Sequence, residues 1–209
     1  MVLPLYYNWR NLLARRLSSA LTFVVVGVVV FVLALLLSFA AGIRASLVAS
    51  GSSTNVLVLK PGATAESTSI LRPDEFGSLA QTPGLARLAA DQDGLPAGTL
   101  LLSPELCVQT TLPRLGTVDG VANVAVRGVD DVAFVVHPEI RIVEGRRCAP
   151  GALEAIVGRS ARDRFAHLRV GDELPLGRKA NRTYQVVGTF EAAGGALESE
   201  IWTPRTMLV

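Results

Sequence analysis

The chain has 209 residues, 50% of them apolar, with a mean hydropathy of +0.41 and a formal net charge of only +2. That balance excludes the dense basic face a nucleic-acid-binding protein needs. The apolar excess is confined to one stretch near the N-terminus, which leaves about 160 residues of ordinary composition, enough for one domain or two small lobes. No carboxylate precedes Glu66, and beyond the apolar stretch the 18 acids nearly cancel the basic residues. A mixed surface of that kind belongs to a solvated domain.

In chain order, the first element is Leu5–Arg16, where Trp9 and three leucines alternate with Arg10, Arg15, Arg16 and amides. This pattern predicts a short interfacial helix against the inner leaflet, with Trp9, Arg10, Arg15 and Arg16 as membrane-interface residues. Simple continuation of the following helix is the alternative. Between Arg16 and Arg44 lie 27 uncharged residues, of which 17 are Leu, Val, Ile or Phe. As a helix they span about 40 Å, more than the roughly 30 Å hydrocarbon core. Each such residue at the bilayer centre favours insertion by about 0.3–0.6 kcal/mol. Three arginines precede the run and only Arg44 follows closely, so the positive-inside rule predicts a cytoplasmic N-terminus. Ser38-Phe39-Ala40 resembles a signal-peptidase site, but a secretory apolar region runs about 7–15 residues, and the length here favours an uncleaved anchor.

Residues 44–54 read as a stalk and a Ser/Gly linker, with Arg44 and Ser46 on the stalk. A strand is expected at Asn55–Lys60, ended by Pro61-Gly62, and a helix from Pro73 to about Gln81. Further strands are expected near Leu85–Ala90, Leu100–Leu102, Leu106–Leu112, Val121–Val126, Ile140–Glu144, Glu154–Gly158, Glu173–Leu176 and Arg182–Phe190. A short helix is expected over Arg159–His167. Thr203-Pro204 reads as a cap and first position of a helix that stops one turn later, as in the front part of a longer protein. Many short strands with few short helices predict an α+β extracytoplasmic domain over 55–209.

Candidate chemistry is sparse. The sequence contains no G-x-x-x-x-G-K-[ST] loop and no zinc-ligand spacing. Ser160 follows Gly158-Arg159 without the second glycine of a nucleophile elbow and reads as a helix cap. His137 and His167 read as surface residues, and Asp130-Asp131 as a helix start. Arg146, Arg147, Arg159, Arg162 and Arg164 read as a solvated face, with an anionic lipid or sugar as the alternative. Cys107 and Cys148 read as two unpaired thiols packing as small apolar groups, although the compartment permits a disulfide.

An ordered set of short motifs resembles the MacB/FtsX-type ABC transporter permeases and their MacB-like periplasmic core domain. It comprises Trp9–Arg16, Val58–Ala63, Val126–Asp130, Glu144-Gly145-Arg146, Pro150-Gly151, Glu154–Arg159, Val170-Gly171-Asp172, Val187–Phe190 and Ser199–Trp202. The residues by themselves read as turns and strand ends; Arg127-Gly128-Val129-Asp130, for example, reads as a turn. The resemblance implies an inner-membrane permease subunit of the MacB/FtsX/LolC type that is not itself an enzyme. It implies no cofactor of its own, ATP being bound by a partner subunit. The implied partners are an ABC ATPase, a second permease copy or homologue, membrane lipid, and a periplasmic adaptor or lipoprotein, with no nucleic acid. It also implies a rigid lever in which a helix longer than the bilayer shifts the outside domain. The competing readings are a single-pass binding or adaptor module and an anchored enzyme, the latter disfavoured by the sparse chemistry.

Overall fold

The computed structural model describes residues 15–49, 55–117, 119–176 and 182–208, and for 45–49 the backbone only. The chain divides after Val48 into two compact units. Among the described residues the first holds one helix, α1 (Arg16–Ala49), 34 residues long. Its segment Arg16–Arg44 has a mean hydropathy of 3.1, and none of its most apolar window is buried against protein, so by length and composition it can cross a membrane. At 1.5 Å per residue α1 is about 51 Å long. Trp9, Arg10 and the expected interfacial helix lie outside the described residues.

The second unit is an α+β domain built on one mixed seven-stranded sheet. Its elements are a 3-10 turn (Glu66–Thr68), α2 (Pro73–Ala80), β1 (Leu106–Pro113), β2 (Val121–Val129), α3 (Ala133–Val136), β3 (Arg141–Gly145), β4 (Glu154–Gly158) and α4 (Arg159–Arg162). There follow β5 (Glu173–Leu176), β6 (Arg182–Glu191), a 3-10 turn (Ala196–Ser199), β7 (Glu200–Pro204) and α5 (Arg205–Leu208). The strand order is β1-β2-β7-β4-β6-β3, with β5 also pairing to β6. The β2–β7 and β4–β6 pairs are parallel and the rest antiparallel.

Side-chain alternation gives the sheet two buried faces. Val124, Val126, Ala155, Val157, Val186 and Ile201 face one side, where Phe165 and Leu168 cover them. Val129, Ile156, Phe190 and Trp202 face the other, against Ala133, Ile140 and Leu197. A bulge between Ala155 and Ile156 shifts the β4–β6 register; the consecutive Val186 and Val187 are buried on opposite faces, as alternation requires.

Several expectations are corrected here. Asn55–Lys60 forms no strand, and Val56 is 85% exposed. Leu85–Ala90 and Leu100–Leu102 form only an isolated bridge between Arg87 and Leu100. The helix at Arg159 ends at Arg162, not His167. There the chain turns back to pair with the β1 end, Leu115 N–H donating to Arg164 and Ala166 N–H to Pro113. His167 sits at φ +58, a left-handed position that no helix accommodates. Thr203 and Pro204 belong to the central strand β7 instead of opening a helix, and α5 starts one residue later. The N-cap of α4 is Gly158, so Ser160 is not a cap; its hydroxyl lies 3.4 Å from Glu198 Oε2.

Candidate functional site

The site-forming part of the domain is the sheet face that carries Trp202. Arg127 of β2 stands in register with Trp202 of β7, so both project to the same side, and Glu200 joins them two residues earlier. Arg127 is only 5% exposed. A buried guanidinium requires partners, and three carboxylates converge on it. Glu200 binds it through Nε at 2.7 Å and Nη2 at 2.8 Å, Glu105 through Nη1 at 2.7 Å and Glu66 through Nη2 at 2.7 Å. The Glu200 pair is the two-bond fork that guanidinium geometry favours. Burial works against the charge on Arg127, but the Glu200 hydrogen bonds and the surrounding carboxylates outweigh it and raise its pKa further.

The network continues through His137. Its Nε2 lies 3.1 Å from Glu105 Oε1 and its Nδ1 3.4 Å from Glu139 Oε1. A ring with carboxylate oxygens at both nitrogens satisfies both only as the imidazolium, the one form with two N–H donors. Burial disfavours that charge, but the hydrogen bond that the ring donates to Glu105 and the charges of Glu105 and Glu139 prevail and raise the His137 pKa. In turn, burial would raise the Glu105 pKa, but the His137 hydrogen bond and the Arg127 charge hold it below the ordinary carboxylate value.

Trp202 is fully buried at the centre of this face. Its ring meets Phe190 at 5.3 Å, Phe134 at 5.8 Å and the edge of His137 at 5.8 Å. Its Nε1 donates to Glu200 Oε2 at 3.1 Å, so the indole is tied to the charge network. Beside it a cleft of about 280 Å³ is walled by Phe134, Cys148 and Ile156, with Asp130 and Asp131 at its border. Asp130 is held by Arg205 at 2.8 Å. Cys148 is free, and burial together with the Glu154 charge pushes its pKa up to about 12, so it is an unreactive thiol at neutral pH. Burial likewise raises the pKa of Cys107, which is free and lies opposite Arg127 in the β1–β2 register.

Arg15, Arg16 and Arg44 are exposed on or beside α1, and Ser46 lies within the helix; none of them belongs to this face. Sequence reading missed the network. Arg127, expected in a turn, lies inside β2, and His137, expected on the surface, is largely buried between two carboxylates. The available signal was a charged residue within the apolar run Val124–Val129, which requires buried partners if that run is a strand. The arginines expected to form a solvated face lie at or near the surface, and most of them carry ion pairs. Arg146 binds Glu154 at 2.5 Å, Arg159 binds Glu191, and Arg162 binds Glu144 and Asp163. Arg147 binds Asp93 and lies 4.2 Å over the Phe134 ring. Among the described residues no group of three or more His, Cys, Asp or Glu is arranged to hold a metal ion.

The described chain is thus an apolar helix able, by length and composition, to cross a membrane, and an α+β domain braced by an internal charge network. Residues 19–209 match the family described as MacB-like periplasmic core domain, and the chain belongs to that family, whose members are components of ABC transporter permeases. Similar solved structures include the periplasmic region of MacB from Actinobacillus actinomycetemcomitans, at 11% identity over 72% of this chain and 64% of that one, with a TM-score of 0.43. A domain assigned to a permease from Porphyromonas gingivalis is 15% identical over 52% of this chain and 47% of that one, with a TM-score of 0.36. The chain thus spans less than two thirds of the length of either structure. No curated protein matches it.

Proposed function

We propose that the chain is the leading part of a permease subunit of the MacB/FtsX/LolC type, set in the inner membrane with its N-terminus in the cytoplasm and its sheet domain outside. In this reading a separate ABC ATPase supplies the work, and α1 carries it to the domain, which moves a lipoprotein, an adaptor or an exported molecule. A second permease copy or homologue completes the complex. Membrane lipid contacts Trp9, Arg10, Arg15 and Arg16 on the inner side, while Arg44 and Ser46 lie on the stalk.

The observation that carries this reading is the length of α1. It runs unbroken from Arg16 to Ala49, about 20 Å longer than a hydrocarbon core of roughly 30 Å. A simple anchor needs no such excess, whereas a lever does, because only a continuous hydrogen-bonded rod passes a displacement along its axis. The test is Ser46→Pro, assayed in membranes together with the ATPase. Proline removes one backbone bond and clashes with the preceding turn, at a cost of about 3 kcal/mol. Membrane insertion should persist and ATP hydrolysis should continue, while ATP-driven transport falls at least tenfold. Transport at the wild-type rate would refute the lever.

A further inference from the structure

The stretch 55–105 makes up about a third of the domain, yet among its residues only Leu88 is buried. Its larger apolar side chains, Leu59, Phe76, Leu79 and Leu100 among them, are only partly buried, so apolar burial, the usual force holding a segment to a core, is weaker here than in the sheet. Polar contacts therefore carry a larger share of the attachment to the sheet side: Asn55 Nδ2 donating to the Val136 carbonyl at 2.6 Å, Asp93 on Arg147, Glu66 on Arg127, and Glu105 shared between Arg127 and His137. The Glu105 end of this set passes through a titratable ring.

We propose that His137 is a proton-operated clamp: charged, it holds Glu105 and, through the Arg127 cluster, the stretch 55–105 against the Trp202 face of the sheet, and neutral, it lets that stretch loosen. Every group facing the ring bears on its charge. Glu105 and Glu139 flank its two nitrogens, and the Trp202 indole meets its edge. Behind Glu105 stand Arg127 and its other carboxylates, Glu66 and Glu200, with the uncharged Cys107 thiol alongside, and Arg147 caps the adjoining Phe134 ring. Counting Glu66, Glu105, Glu139 and Glu200 against Arg127 and a charged His137, the cluster carries a net charge of −2. Loss of the ring proton takes it to −3 and turns one of the two N–H donors into a lone pair facing a carboxylate. Glu105 then keeps only Arg127, which it shares with two other carboxylates.

The sign of the effect follows from linkage. His137 is protonated more readily in the folded chain than at its ordinary value of 6.5. Its contribution is complete below that pH and is lost as the pH rises through the higher folded value. An extracytoplasmic domain experiences the pH of its surroundings directly, so the clamp would respond to alkalinisation outside the cell.

The test uses the intact chain in detergent, with Trp9→Phe so that Trp202 is the sole indole. Trp202 fluorescence should change sigmoidally with a midpoint above pH 6.5, because an adjacent imidazolium quenches the indole and the neutral ring does so less. Across the same midpoint, amide protection over 61–105 should fall by up to roughly tenfold per pH unit, the limit for one linked proton, while protection in β4, β6 and β7 holds. His137→Gln should abolish the fluorescence step. Glu139→Gln, at the more exposed flank, should lower its midpoint. A midpoint at or below 6.5, a step that survives in His137→Gln, or protection over 61–105 that does not follow the step would overturn the proposal.

Discussion

Arg127 stands where a two-faced sheet ordinarily places an aliphatic side chain, and the consequences are local and steep. Its neighbours on the same strand, Val126 and Val129, are nearly inaccessible to solvent. Removing the guanidinium would leave Glu200 without its cation and Glu105 with His137 alone, in a site that water hardly enters. Breaking a buried ion pair from one side costs about 3–5 kcal/mol, so Arg127→Met should lower stability by about 3 kcal/mol, since Glu66 remains partly hydrated. The measurement is the denaturant midpoint of the detergent-solubilised chain, and the double variant Arg127→Met/Glu200→Gln should recover part of the loss. An unchanged midpoint in the single variant would mean the cluster contributes nothing. Acid should act on the same network from the other side. Glu105 is deprotonated more readily in the folded chain than at its ordinary 4.5, so its contribution is present above that value and disappears as the pH falls through the lower folded value. Guanidinium exchange behaviour and carboxyl chemical shifts followed by NMR between neutral pH and pH 3 should register that loss; a Glu105 that titrates at its ordinary value would contradict it.

Among the elements, those whose pattern is self-contained were legible in the sequence and those defined by distant partners were not. Glu154–Gly158 and Glu173–Leu176 fall where their apolar runs and bounding turns predict, because Gly151 and Gly171 punctuate them locally. The strand β7 was hidden. It is five residues long, starts with a glutamate and ends in Thr203-Pro204, a pair that reads as a helix start when nothing shows that β2 and β4 lie on either side. The reverse failure occurs at Asn55–Lys60, where a good strand pattern finds no pairing partner and the segment stays outside the sheet. The charge network was illegible for the same reason. Its members are separated by up to 134 positions in the chain, from Glu66 to Glu200; the β2–β7 register brings Arg127 beside Glu200, and the other members come from segments outside those two strands. Close approach at the element scale also makes a firm prediction at Gly158. A Cβ there would fall on the Glu198 carbonyl, whose segment also carries the carboxylate that accepts the Ala192 and Gly194 N–H groups. Gly158→Ala should therefore push β4 and the Ala196–Ser199 turn apart and destabilise the domain by about 2 kcal/mol, within the usual 1–3 kcal/mol cost of overpacking. Thermal unfolding followed by circular dichroism will register the drop, and an unaltered midpoint would show that the turn yields freely.

At the scale of the whole molecule, the account depends on α1 staying in the bilayer while the sheet domain faces away from the cytosol. The apolar stretch was the most legible feature of the sequence, because insertion depends on composition and length and needs no tertiary partner. Orientation rests on Arg10, Arg15 and Arg16 before the run against Arg44 after it. Val56 offers a direct handle: it is 85% exposed and sits just past the linker. The native thiols give little background, since Cys107 and Cys148 are both partly buried with raised pKa values. In intact cells expressing Val56→Cys, a membrane-impermeant maleimide should label a protein that resists carbonate extraction and whose mass includes the first sixteen residues. Contradiction would come from label excluded until the cells are broken, or from a labelled species beginning near Ala41 and recovered in the soluble extracytoplasmic fraction.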